Sequence, residues 1–112
     1  MKNKIHYSKE ARRDLDEIWD YIVSELQNRS AAERTVNRIM DAVDQLEDFA
    51  EIGAPLSSIA DVESDYRVLV TGNYLTFYRV HEKEVYVDRI LYGRRDYLRI
   101  LFGDMADEET TE

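Results

Sequence analysis

Apolar positions recur along this chain with two different periods. Ala11, Leu15, Ile18, Trp19, Ile22 and Leu26 fall at steps of three and four, which puts them on one helical stripe and leaves Asp14, Asp16, Glu17 and Asp20 around the rest. Ser8 precedes that stripe as a good N-cap, and Glu10 sits in the first turn, where the helix dipole favours a carboxylate. The helix is expected to end near Gln27-Asn28-Arg29. Ser30-Ala31-Ala32-Glu33 has the spacing of a capping box, and Val36, Ile39, Met40, Val43, Leu46 and Phe49 form a second stripe. Two helices joined by so few residues must form an antiparallel hairpin.

From Tyr66 onward the period changes. β-Branched and aromatic residues gather in three short runs, Tyr66–Val70, Tyr74–Val80 and Val85–Tyr92, separated by Gly72-Asn73 and by His81-Glu82-Lys83-Glu84. These runs predict three strands with hairpin-short links. Lys4 to Tyr7 is a further short strand candidate. Ala54 to Asp65 reads as an irregular and mobile connection, because Pro55 biases its predecessor out of the helical region and Ser57-Ser58 favour turns. After Gly93, residues Arg94 to Phe102 are expected to form a short helix with Tyr97, Leu98, Leu101 and Phe102 as its buried side. The pattern predicts an α+β fold, β-α-α-β-β-β-α, with a helical hairpin packed on a small, mainly antiparallel four-stranded sheet. The strands carry large residues on both alternating sets, Tyr74, Thr76, Tyr78 and Val80 against Leu75, Phe77 and Arg79. The second face therefore cannot be fully solvated, and a partner is expected to bind there.

Composition adds limits to this picture. At 112 residues, with 44% hydrophobic and 35% charged side chains, the chain fits one domain, expected to span 1–102, followed by an acidic tail at 103–112 expected to be disordered. Cysteine is absent, which excludes disulfides and thiolate chemistry, and no apolar run has the length of a membrane span. A cytoplasmic protein is expected. The net charge of −9 is unevenly divided, with −7 in residues 1–66, +3 in 67–99 and −5 in 100–112. Six of the eight tyrosines lie between Tyr66 and Phe102, together with Arg67, Arg79, Arg89, Arg94, Arg95 and Arg99. A broad phosphate-binding surface is disfavoured by the overall acidity, and a local cationic one is not.

Candidate chemistry is sparse. The four glycines, Gly53, Gly72, Gly93 and Gly103, are not spaced for a dinucleotide or phosphate loop, and no serine has a nucleophile-elbow context. His6 and His81 read as ordinary edge-strand and turn residues. Carboxylate pairs such as Asp14/Glu17 and Asp16/Asp20 have ligand spacing but no nearby histidine, so neither a metal nor a cofactor is expected. A guanidinium within a strand must reach solvent or a carboxylate, so pairing inside the molecule is favoured for Arg79 and Arg89, and an exposed role for Arg94 and Arg95. Sheet aromatics Tyr74, Tyr78 and Tyr86 allow a single-strand RNA-binding module as one reading. The usual βαββαβ order of such modules does not match the helix pair here.

With YRVLVTGNYLTFYRV leading into VYVDRILYGRRDYLRIL behind a strand and two helices, the chain resembles the RelE/ParE superfamily of bacterial type II toxin-antitoxin toxins, over nearly its whole length up to Phe102. The GRRDY segment is the most distinctive piece. The resemblance implies the toxin of a plasmid-stabilisation or addiction module, neutralised by a cognate antitoxin in a hetero-oligomer. It also implies a choice of target. RelE-like members cleave mRNA on the ribosome through basic residues on and after the sheet, whereas ParE-like members poison DNA gyrase. Arg95 matches the post-strand arginine of the nucleases and is the best catalytic candidate on that reading. Leu75 and Leu101 stand where the nucleases tend to carry a sheet arginine and a late tyrosine, and Pro55 to Tyr66 contains no lysine.

In-line attack by a ribose hydroxyl needs a base, an acid and concentrated positive charge. The sequence supplies charge without a convincing base, so a ParE-like inhibitor of gyrase is expected, with a ribosome-dependent mRNA endonuclease as the alternative. Residues expected to meet target or antitoxin are Arg67, Arg79, Arg89, Tyr92, Arg94, Arg95 and Tyr97. The antitoxin segment is expected to be apolar and acidic and to cover the sheet and terminal helix.

Overall fold

Ser8 ends the first strand and starts the first helix. Its hydroxyl oxygen accepts from the Ala11 amide at 2.9 Å and donates to the Asp88 carbonyl at 2.7 Å, so one side chain satisfies an orphan helix donor and ties that helix to the sheet. The computed structural model describes residues 2–60, 62–93 and 97–102. Along the chain these form β1 (Lys4–Tyr7), α1 (Lys9–Glu25), α2 (Arg29–Asp44), β2 (Ala54–Pro55), β3 (Arg67–Thr71), β4 (Tyr74–His81), β5 (Glu84–Tyr92) and α3 (Tyr97–Phe102), with short 3-10 turns at Gln45–Glu47 and Leu56–Ser58.

The sheet order is β1-β5-β4-β3-β2, with β1 parallel to β5 and every other pair antiparallel. The α+β class and the order of helices and major strands are as the pattern predicts. The sheet has five strands rather than four, because Ala54 and Pro55 pair with Val68 and Arg67 at the edge. Pro55 fits there, since an edge strand leaves its missing N–H without consequence. The connection is also better anchored than its turn-rich sequence implies. Leu56 is fully buried, and its amide donates to the Tyr66 carbonyl at 2.8 Å.

The helical hairpin covers one face. Ile18, Ile22, Ile39, Val43 and Leu46 pack there against Tyr78, Val85, Val87 and Ile90. Adjacent strand residues point to opposite faces, so Phe77 joins a second, smaller core with Leu56, Val68 and Leu91. Its cover comes from the chain itself, through Tyr66 and the α3 residues Tyr97, Ile100, Leu101 and Phe102. Ile100 replaces the expected Leu98 in that contact. Arg94 to Asp96 and the tail at 103–112 lie outside the described residues.

Three local expectations are corrected. The N-cap of α2 is Asn28, whose Oδ1 accepts from the Ala31 amide at 2.9 Å, so Ser30 is inside the helix and the Ser30/Glu33 capping box does not form. The cap falls earlier because Gln27 takes φ +50° and stops α1 sharply, leaving Asn28 extended. Phe49 lies beyond the end of α2 and is exposed. Asp14, placed by periodicity on the polar side, is buried at 5% exposure.

Candidate functional site

The buried Asp14 carboxylate has three donors around it. Arg89 Nε and a terminal Arg89 nitrogen donate to its two oxygens at 2.8 and 2.9 Å, and the Ile90 amide donates to Oδ2 at 2.9 Å. The bidentate fork is the strong form of this pair. It exists because β5 is irregular here. The register of β4 on β5 shifts between Phe77 and Tyr78, and Asp88 has no residue opposite it. The shift leaves the Asp88 carbonyl to Ser8 and the Ile90 amide to Asp14, so α1 and its N-cap supply both partners. The hydrogen bond to Asp14 is the main reason the Arg89 guanidinium is held even more firmly protonated than usual.

Arg79 is engaged on the opposite face. Its Nε donates to Asp88 Oδ2 at 2.9 Å, and its guanidinium lies 5.8 Å from the ring centroids of both Tyr66 and Tyr86. Tyr66 also donates to Asp88 Oδ2 at 2.9 Å. Burial and then that hydrogen bond push the Tyr66 phenol up to about 12. His6 bonds Glu84 and stacks on Tyr86 with centroids 5.1 Å apart, while Phe102 meets Tyr66 edge-on at 6.1 Å. The row His6, Tyr86, Arg79, Tyr66 therefore crosses β1, β5, β4 and the entry to β3. Tyr86 has a neighbour on each side, as does Arg79, so their flat surfaces are already occupied.

Arg67 holds a loop. One terminal nitrogen donates to the Gly53 carbonyl at 2.7 Å and the Glu51 carbonyl at 3.2 Å, and the other lies 3.8 Å from the Glu51 carboxylate. The same loop is clamped by Tyr78, whose buried hydroxyl donates to the Ala50 carbonyl at 2.8 Å and accepts from the Gly53 amide at 2.9 Å. A Cβ on Gly53 would lie 2.7 Å from that hydroxyl, so the clamp requires glycine.

Of the residues singled out by sequence, the three strand arginines are thus each bound within the molecule and are not brought together. Arg94 and Arg95 lie outside the described residues. Tyr97 packs against Phe77 with centroids 5.3 Å apart, on the face away from the hairpin. Tyr92 is 40% exposed and lines a cavity of about 630 Å³ between α1 and the ends of β4 and β5. Ile18, Ile22, Ile90 and Leu91 also line it, and Tyr21, Leu26, Tyr74, Asn73 and Glu17 border it. Tyr74 and Tyr92 meet at a 68° interplanar angle, and burial raises the Tyr74 phenol above its ordinary value. Periodicity did not reveal this groove, because Tyr21 lies off the apolar stripe and Leu26 lies on it yet remains exposed. Among the described residues no group of three or more His, Asp or Glu could hold a metal ion, and no helix is long and apolar enough to cross a membrane.

The family described as ParE toxin of type II toxin-antitoxin system, parDE, matches residues 5–97. A chain of the chromosomal ParDE TA system from P. aeruginosa superposes with a TM-score of 0.67 and 26% identity, over 81% of this chain and 96% of that one. A chain of the toxin-antitoxin complex RelBE2 from Mycobacterium tuberculosis shares the fold, with a TM-score of 0.54 and 16% identity over 82% of this chain and 99% of that one. No curated protein matches.

Proposed function

The chain belongs to the ParE toxin family of type II toxin-antitoxin systems, and from that membership we propose that it acts by binding and inhibiting DNA gyrase and is neutralised by a cognate antitoxin. The observation that carries the binding mode is the engagement of the strand arginines. Arg89 is taken by Asp14, Arg79 by Asp88, and Arg67 by the loop at Glu51 and Gly53. Charge locked into internal pairs is poorly available to a phosphorane, which a ribonuclease must stabilise. The imidazole of His6 is bonded to Glu84 and stacked on Tyr86. These arrangements favour inhibition by contact over strand cleavage. They also count against a single-strand RNA platform, which needs free ring surfaces for bases.

The proposed target surface centres on Tyr92, Arg94, Arg95 and Tyr97, where the chain's cationic segment follows β5. The antitoxin is proposed from the family and from the neighbours, which are toxin-antitoxin assemblies. Expressed without its antitoxin, the protein should arrest growth with filamentation and DNA-damage signalling. Purified, it should inhibit supercoiling by gyrase and leave ribosome-bound mRNA intact. Codon-specific cuts on translating ribosomes, lost in Arg95→Ala, would instead establish the endonuclease reading.

A further inference from the structure

α3 and the segment around Leu56 shield only part of the sheet face that lies away from the hairpin. The remainder lies over β1, β5 and the C-terminal end of β4, where residues directly opposite one another share a face. Lys4, Glu84 and His81 form one cross-strand row there, and His6, Tyr86 and Arg79 form the next. Two carboxylates stand among these side chains, and both are taken, Glu84 by His6 and Asp88 by Arg79 and Tyr66. The donors are not exhausted. Asp88 offsets the charge of Arg79 but engages only its Nε, so both terminal nitrogens lack an acceptor among the described residues, in contrast to the bidentate Arg89. The side chains of Lys4 and His81 are exposed and make no hydrogen bond or ion pair among the described residues. This patch is short of acceptors for its donors.

We propose that the acidic segment 103–112 covers this patch, its carboxylates meeting Arg79, Lys4 and His81, so that the free toxin carries its own competitor for any partner of that face. The segment starts in the right place. α3 ends at Phe102, whose ring meets Tyr66 with centroids 6.1 Å apart, and the Tyr66 ring lies 5.8 Å from the Arg79 guanidinium. The chain therefore leaves α3 at the border of the patch. It is also long enough. The ten residues after Phe102 reach about 33 Å when extended, whereas β1 lies two strands beyond β4, about 10 Å away. Its charge fits as well, since Asp104, Asp107, Glu108, Glu109 and Glu112 give it −5 with no base, while residues 1–66, which include both helices, carry −7 and repel it from the hairpin side. Each exposed ion contact is weak alone. The tether compensates by raising the effective concentration to the order of mM. The family match stops at residue 97, so this cover lies beyond the shared toxin domain and does not depend on which target the toxin meets.

The test is paramagnetic relaxation enhancement in the isolated full-length toxin. The chain has no cysteine, so Thr111→Cys provides a single site for a nitroxide label. Amides of residues 4–6, 79–81 and 84–86 should broaden selectively, and the broadening should vanish in about 0.5 M salt. It should also vanish when the segment is neutralised by Asp107→Asn, Glu108→Gln and Glu109→Gln together. Lys4→Ser with His81→Ser alters exposed side chains and should abolish the broadening at an unchanged melting temperature. A synthetic peptide of sequence 103–112 should bind the neutralised variant about tenfold more tightly than the unaltered chain, whose own segment occupies the patch. Absence of broadening in the unaltered segment, or its persistence in the neutralised or double serine variant, would overturn the proposal. Broadening spread equally over the hairpin would do the same. Broadening of an unlabelled copy by a labelled one mixed with it would seat the segment on a second molecule and overturn the intramolecular cover.

Discussion

A carboxylate on the buried side of a helix is costly to desolvate, and Asp14 is tolerated only because Arg89 and the Ile90 amide meet it. Asp14→Ala is therefore expected to destabilise the fold by about 3 kcal/mol, read from urea unfolding, since it leaves a guanidinium and a strand amide without their acceptor. The signal was present in the sequence. Position 14 is three residues after Ala11 and four before Ile18, at the border of the apolar stripe, and strand arginines were already expected to need carboxylates. Composition could not say which carboxylate each would take: Arg79 takes Asp88 from the neighbouring strand, and Arg89 takes Asp14 from α1. Two tyrosines make a separate prediction. Burial, with a smaller push from Asp44, raises Tyr7 to about 12, and burial with the Asp88 hydrogen bond raises Tyr66 to about 12, both from an ordinary value of 10.0. The folded state then holds protons that the unfolded state releases, so their contribution is complete below pH 10 and is lost as pH rises toward 12. Thermal melts should show this alkaline decline, and Tyr7→Phe with Tyr66→Phe should flatten it.

Elements were legible where side-chain period was strong and obscure where a single backbone angle decided. β3, β4 and β5 begin and end within a residue of the predicted runs, except that His81 and Glu84 belong to the ladder and leave only Glu82-Lys83 as the turn. There Glu82 adopts φ +57°, an angle that composition does not announce. The start of α2 was misplaced for the same reason, since the left-handed Gln27 determines it. Asn28→Ala should cost about 1 kcal/mol as the loss of a working N-cap, and Ser30→Ala should change stability little or improve it. Chemical denaturation of the two variants separates the two caps, and the opposite ranking would restore Ser30 as the cap. Trp19, predicted as core, is only partly buried against the hairpin core and has Arg29 6.0 Å from its ring. Its replacement by alanine should cost about 2 kcal/mol, less than the 3–5 kcal/mol typical of a fully buried aromatic.

At the scale of the whole molecule, the sheet separates two cores of unequal strength. The hairpin side buries Ile18, Ile22, Ile39, Val43, Leu46, Tyr78, Val85, Val87 and Ile90, whereas the other side buries four residues under α3, a six-residue helix with no fully buried residue of its own. An isolated helix so short has almost no intrinsic stability, so α3 persists only through contacts such as Tyr97 on Phe77. The sequence made this cover hard to foresee. It signalled two apolar strand faces, but not that the segment around Leu56 and Tyr66 would join α3 in shielding the second one. Local opening should follow the division, with α3 detaching at a free energy below that of global unfolding. Native-state hydrogen exchange is the measurement. Amides of Tyr97 to Phe102 should exchange well ahead of those of Thr76 to Tyr78 and Val85 to Val87. Tyr97→Ala should accelerate the first set and leave the second nearly unchanged. Ile39→Ala, which opens a cavity in the larger core, should accelerate the second set by lowering global stability by about 2–5 kcal/mol. Exchange of both sets in step in Tyr97→Ala would mean that the two cores unfold as one, and that α3 is integral to the fold rather than a detachable cover over Phe77 and Leu91.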